Sequence, residues 1–131
     1  MNQAGQPIAA APSAQRSVFR CADLVLDESR WTVHRNDAPV ALSPTEFRLL
    51  ACLMCHQGSV LTRTQLLASV WGAGYTGQSQ VVETYVSYLR RKLGRLGPPL
   101  IHTRRGIGYT LHSPDIRSSP DVLAGLRYAD S

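Results

Sequence analysis

Three features of this 131-residue sequence predict an α+β domain. From Ser17 to Leu42 polar and apolar residues roughly alternate, the period of strands covered on one face. Three helices follow, the first two opened by capping signals. The patterned part closes on β-branched and aromatic runs either side of Arg104-Arg105-Gly106, which reads as a β-hairpin.

Taken in order, residues 1–16 (MNQAGQPIAAAPSAQR) have the Ala, Gln and Pro content of a mobile linker, and Pro7 and Pro12 argue against a helix there. The domain is expected over residues 17–113. Val18 to Asp27, Trp31 to Arg35 and Ala38 to Leu42 are candidate strands, with turns at Glu28-Ser29-Arg30 and Asn36-Asp37. Such a meander is too small to stand alone and needs a helical layer over one face. Ser43 is an N-cap, Pro44 occupies the first helical position, and Glu46 completes a capping box. Phe47, Leu50, Leu53 and Met54 form the inward stripe, and Gly58 is the expected left-handed stop. Val60-Leu61 is a short extended link.

Thr62 and Gln65 repeat the box for a second helix, with Leu66, Leu67, Val70 and Trp71 inward and Gly72 as the stop. The Gly72 to Ser79 loop is longer than the connection of a simple helix-turn-helix. A third helix begins near Ser79 or Gln80 and ends at Gly94, its inner stripe Val82, Val86, Leu89 and Leu93. Gln80, Thr84, Ser87, Tyr88 and Arg91 lie opposite, a polar face with a cation and no carboxylate. Pro98-Pro99 forces an extended entry into the hairpin. Trp31 and Trp71 are core candidates. Residues 114–131 read as a tail, with a weak helical turn at Val122 to Tyr128.

The formal net charge is +5 and the pI about 9.6, which favours a polyanionic partner. Between Gln80 and Tyr109 stand Arg90, Arg91, Lys92, Arg95, Arg104 and Arg105 against one acid, Glu83. Lys92 is the sole lysine. Arg pairs bidentately with guanine and phosphate, although a GC-rich genome would enrich Arg as well. A short helix fits a major groove, and a basic extended tip reaches the neighbouring minor groove or its phosphates. No apolar run is long enough to span a bilayer and no signal pattern opens the chain. With three cysteines the expectation is a cytoplasmic protein with free thiols.

Competing motifs fail on context. Cys52 and Cys55 spell Cys-x-x-Cys, but no second Cys or His pair stands at ligand spacing, so no metal or other cofactor is expected. Gly72 to Gly77 matches the dinucleotide fingerprint yet follows a helix instead of a strand. His34, His56, His102 and His112 are scattered over different elements, and nothing near them suggests a triad. The chain is not expected to be an enzyme. A protein-binding module is the competing class, which would show exposed apolar residues on the third helix.

A meander, three helices with a long second loop and a terminal hairpin make a winged helix-turn-helix. LSPTEFRLL, LTRTQLLASVWG, VVETYVSYLRRKLG and PLIHTRRGIGYTL, in that order, resemble the DNA-binding effector domain of OmpR/PhoB-type bacterial two-component response regulators over about Phe19 to Leu111. The resemblance implies sequence-specific binding of double-stranded DNA and a function in transcription regulation. Helix three would be the recognition helix in the major groove, with Gln80, Thr84, Tyr85, Ser87, Tyr88, Arg91 and Lys92 near bases and flanking phosphates. Arg105 would enter the minor groove, beside Thr103, Arg104 and Gly106 in the wing. Arg104 ranks below Arg105, since it is placed to salt-bridge across the hairpin. Tyr109 would pack beneath the wing.

The resemblance further implies that Ala73, Gly74, Tyr75, Thr76, Gly77 and Gln78 face RNA polymerase, and that two copies bind direct repeats as a tandem dimer. A receiver domain and a sensor kinase would be partners of a full-length protein, and no acidic phosphorylation pocket is expected in this chain. Position 88 is Tyr where many relatives carry Arg. A Tyr offers one hydrogen bond or packs on a thymine methyl, and cannot grip guanine with two bonds.

Overall fold

The computed structural model describes residues 17–114. The expected linker at 1–16 and the tail with its Val122 to Tyr128 turn lie outside those residues.

The first four strands, β1 (Val18–Cys21), β2 (Leu24–Asp27), β3 (Thr32–Arg35) and β4 (Ala38–Pro39), form an antiparallel meander in sequence order. Leu26 faces Phe19 on one side and Val33 on the other, and Leu24 faces Arg35. The period of two puts Cys21, Leu24, Leu26, Val33 and, unexpectedly, Arg35 on the covered side. Asn36 and Asp37 both have positive φ, 53° and 65°, the backbone of a two-residue hairpin turn that matches strand twist.

Trp31 overturns the core expectation, being 53% exposed with φ 56°. The physical reason is the preceding turn. Asp27 Oδ1 accepts from Ser29 N, Ser29 Oγ and Arg30 N, winding a tight loop whose closing residue takes the left-handed conformation. That rotates the indole off the sheet's inner face. It stacks on Phe47 instead, centroids 4.4 Å apart.

Helix α1 (Pro44–Cys55) opens with the expected reciprocal box: Ser43 Oγ accepts from Glu46 N, and Glu46 Oε1 accepts from Ser43 N. It stops at Cys55, short of Gly58. Gly58 does take positive φ, 89°, but in the following turn, where its N–H donates to Leu111 O at 2.9 Å. Glu46, Leu49 and Ala51 are buried beside the expected stripe, because α1 is covered by β1 and by the third helix.

The Val60-Leu61 link proves to be part of a second sheet. Strand β5 (Leu61–Thr62) pairs with the hairpin strand β7 (Gly108–Leu111), which pairs with β6 (Ile101–Arg104). Gly108 sits where three backbones converge: a Cβ there would stand 1.9 Å from Leu61 O. No side chain fits such an approach.

Helix α2 (Arg63–Leu66) has the Thr62–Gln65 box and continues as a π-helical turn, Leu67–Trp71, closed by Gly72 N donating to Leu67 O. Only Leu66 is fully buried here; Leu67, Val70 and Trp71 are half-buried against the core. Helix α3 (Val81–Gly94) buries Val82, Val86, Leu89 and Leu93 as expected, and starts after Gln80, whose side chain makes no cap. Its stripe meets α1, and Leu100, Ile101 and Leu111 join the same core.

Candidate nucleic-acid interface

The buried stripe of α3 settles which side remains open: Gln80, Thr84, Ser87, Tyr88 and Arg91 are exposed. Thr84 Oγ1 donates to Gln80 O at 3.3 Å, within the helix itself. Arg91 Cζ lies 5.5 Å from the Tyr88 ring centroid, so the two exposed side chains form a cation–π pair.

Two expected members have other partners. Lys92 Nζ donates to Glu46 Oε1 at 2.7 Å and to Ala41 O at 3.0 Å. Its position on the helix turns it towards α1, off the open face, so its charge is spent internally. Tyr85 is half-buried, its ring 5.5 Å from Trp71 and 5.3 Å from Tyr88. An aromatic row thus runs from Tyr75 through Trp71 and Tyr85 to Tyr88.

Helix and wing are joined by Arg90. Its Nη2 donates to Thr103 Oγ1 at 2.5 Å, its Nε to Ile101 O at 3.4 Å, and its guanidinium covers the Tyr109 ring at 5.7 Å. Tyr109 is buried under the wing as expected. Burial first, and then the charge of Glu83, push its phenol pKa up. Arg105 and Gly106 are exposed at the tip, with Gly106 at φ 75° and Ile107 59% exposed beside them. Arg105 makes no hydrogen bond or ion pair with another described residue. Arg104 faces Gly108 across the hairpin, which offers no side chain, so the cross-hairpin ion pair does not form.

A groove of about 350 Å³ separates the wing from the helices, lined among others by Arg63, Thr64, Glu83, Thr103, Arg104 and Ile107. Glu83, the one acid of α3, is neutralised there by Arg63, whose Nε donates to Glu83 Oε2 at 2.8 Å. Arg63 was not singled out in the sequence, and Arg90 counted there only as one of the basic residues, because their partners lie 20 and 13 residues away. The single carboxylate of α3 is thus paired, while Arg91 on the helix and Arg105 on the wing are free of acids.

Glu46 shows the opposite treatment of a carboxyl. Burial alone would raise its pKa, but hydrogen bonds from Lys92 and the Ser43 amide outweigh that and hold it below the ordinary value. Burial pushes the Cys21 thiol up to about 11 and raises Cys52 as well. Cys52 is half-buried and Cys55 exposed, and no group of three or more His, Cys, Asp or Glu is placed to hold a metal ion among the described residues. No described helix is long and apolar enough to cross a membrane.

The Gly72 to Ser79 loop is exposed throughout. Tyr75 N donates to Gly72 O at 3.1 Å and Tyr75 Oη to Gln78 O at 3.2 Å. The loop folds back over its own tyrosine, against which Gly77 packs so closely that a Cβ would collide with the ring.

Residues 37–111 match the family described as transcriptional regulatory protein, C terminal. The chain is 44% identical over 97 residues to the transcriptional regulatory protein TrcR of Mycobacterium tuberculosis, covering 74% of this chain and 38% of that one. It is 42% identical over 105 residues to the phosphate regulon transcriptional regulatory protein PhoB of Rhizobium meliloti, covering 79% and 46%. The chain therefore spans less than half the length of these relatives. Among solved structures, the DNA-binding domain of CpxR from E. coli superposes with a TM-score of 0.65 at 34% identity, covering 73% of this chain and 96% of that one. The Klebsiella pneumoniae RstA DNA-binding domain, in complex with the RstA box, gives 0.65 at 31% identity, covering 72% and 96%. A meander, a three-helix layer, a wing locked to α3 by Arg90 and this sequence match together have one reading: the chain belongs to the family of C-terminal winged-helix domains of OmpR/PhoB-type transcriptional regulators.

Proposed function

We propose that this chain is the effector domain of a bacterial two-component response regulator that binds double-stranded DNA sequence-specifically and regulates transcription. The observation that carries the reading is the Arg90–Thr103 tie, which sets an open, carboxylate-neutralised helix face beside a free Arg105. α3 enters the major groove, where Gln80 suits adenine and Tyr88 a thymine methyl or one acceptor. Arg105 enters the minor groove, and Arg91 and Thr103 hold backbone positions, releasing counterions. Arg104 and Gly106 flank that insertion.

The partners of this reading are a second copy on a direct repeat, RNA polymerase at the Ala73 to Gln78 loop, and a receiver domain and sensor kinase in a full-length protein in the cytoplasm. Tandem binding raises affinity through effective concentration. No catalytic step belongs to it. A protein-docking use of α3 is disfavoured by its open face, where Tyr88 is the single large apolar side chain.

Selection from a random duplex library tests the proposal. Enrichment of a repeated half-site, with affinity that falls steeply with salt, is expected. Recovery of unenriched sequence would overturn it.

A further inference from the structure

Arg35 is the one buried arginine among the described residues, 1% exposed, and its guanidinium is divided among three places. Nε donates to Asp23 Oδ1 at 3.1 Å, Nη1 to Leu93 O at 2.9 Å and Nη2 to Pro98 O at 2.5 Å. Leu93 O belongs to the last turn of α3, where it also accepts from Leu96 N at 3.1 Å and where a cation is favoured. Pro98 O belongs to the linker that carries the chain from α3 into β6. The linker is shaped to receive this side chain: a Cβ on Gly97 would stand 2.7 Å from Nη2 and 2.8 Å from Cζ. A single group rooted in the N-terminal sheet thus grips both the end of the reading helix and the start of the wing. The ties of α3 to the wing through Arg90 and Glu83, which meet Ile101, Thr103 and Tyr109, lie within the C-terminal half itself.

We infer that Arg35 is a positioning residue for DNA reading: without touching DNA, it sets the offset of the wing from α3, and so whether both grooves can be engaged together. This rests on the DNA-binding reading above. α3 itself is held by its four-residue buried stripe, and the wing strands stay tied to it by Arg90. Losing the guanidinium therefore frees the linker and lets the wing's offset shift without detaching it. Buried charge that satisfies three acceptors at one joint is costly to rearrange, which suits a spacer that must not drift.

The test is a double-mutant cycle on the duplex selected above, at fixed salt, with thermal melting to confirm folding. In the parent, Arg105→Ala is expected to weaken binding about tenfold or more. In Arg35→Gln the same change should cost less than about threefold, because a shifted wing no longer seats Arg105 fully in the minor groove. Hydroxyl-radical protection in the minor groove should fade with it, while Arg91→Ala keeps its full cost. General loosening would lower every term alike. Gly97→Ala, which leaves Arg35 present but displaces its guanidinium, should reproduce the effect more weakly, and it carries the test if Arg35→Gln does not fold. Arg35→Lys, with one group for three acceptors, should recover part of the coupling. Additive costs for Arg105→Ala in both the Arg35→Gln and Gly97→Ala backgrounds would overturn the inference. A parent that selects no duplex would instead sink the DNA-binding reading.

Discussion

The two halves of this domain handle charge in opposite ways. The meander and its approach to α1, residues 17–42, hold Arg20, Arg30 and Arg35 against Asp23, Asp27, Glu28 and Asp37. Two of those arginines pair with a neighbouring carboxylate: Arg30 with Asp27 and Arg35 with Asp23. From Leu61 to Leu111 there are Arg63, Arg90, Arg91, Lys92, Arg95, Arg104 and Arg105 against Glu83 alone. Here the one carboxylate is consumed by Arg63, and Lys92 is consumed by Glu46 of α1. The difference teaches that an open cationic surface is made by where pairing stops. Net charge is a property of the whole chain, whereas Arg91 and Arg105, like Arg95 and Arg104, have no acid beside them because the one acid of this half is taken by Arg63.

The largest expected effect breaks the C-terminal half as a structure. Gly108→Ala forces a Cβ into the Leu61 carbonyl and should cost about 3 kcal/mol, seen as an earlier thermal melt by circular dichroism. A parent-like melt would mean that β5 and β7 are not so closely packed. Next comes the face itself. Arg105→Ala should weaken DNA binding by about 1–3 kcal/mol in a titration at fixed salt, whereas Arg20→Ala on the meander should leave it unchanged. Equal losses would erase the distinction between the halves. Arg91→Ala should lower the slope of log affinity against log salt by about one, and an unaltered slope would place Arg91 off the phosphate backbone.

Glu46 sharpens the comparison through pH. Its folded pKa is held below the unfolded value, so its contribution is fully present above the ordinary carboxylate range and is lost as pH falls through the lowered folded value. Glu46→Gln should therefore flatten the acid limb of the stability profile, read from denaturant midpoints between neutral and acid pH. A limb as steep as the parent's would show that Lys92 does not hold that carboxyl down. The smallest effect is expected for Glu28→Gln, which should move neither stability nor affinity by more than about 0.5 kcal/mol.

Much of the fold was legible because its signals are local. The Ser43–Glu46 and Thr62–Gln65 boxes and the α3 stripe each depend on residues within a few positions of one another, and each formed as read. Errors arose where a distant partner decided. Trp31 is the exception, since a local turn around Asp27, two to three residues from its partners, carried it outwards. Val60-Leu61 looked like a link because its strand partner, β7, lies far along the chain. Gly58 looked like a helix stop, and serves a turn bound to Leu111.

The candidate site divides along the same line. Periodicity alone determined which side of α3 is polar, since a helix with one buried stripe has one side left. It did not show that Tyr85 leans into Trp71 or that Lys92 bonds to Glu46 across 46 residues. Nor did it show that Arg35, which alternation within β3 places inward, would find acceptors on α3 and its linker. Short-range patterns determine element type and facing, because helix and strand geometry repeats every few residues. Which cations remain free was decided only by tertiary structure, because the carboxylates and carbonyls that quench the others come from elements far away in the chain.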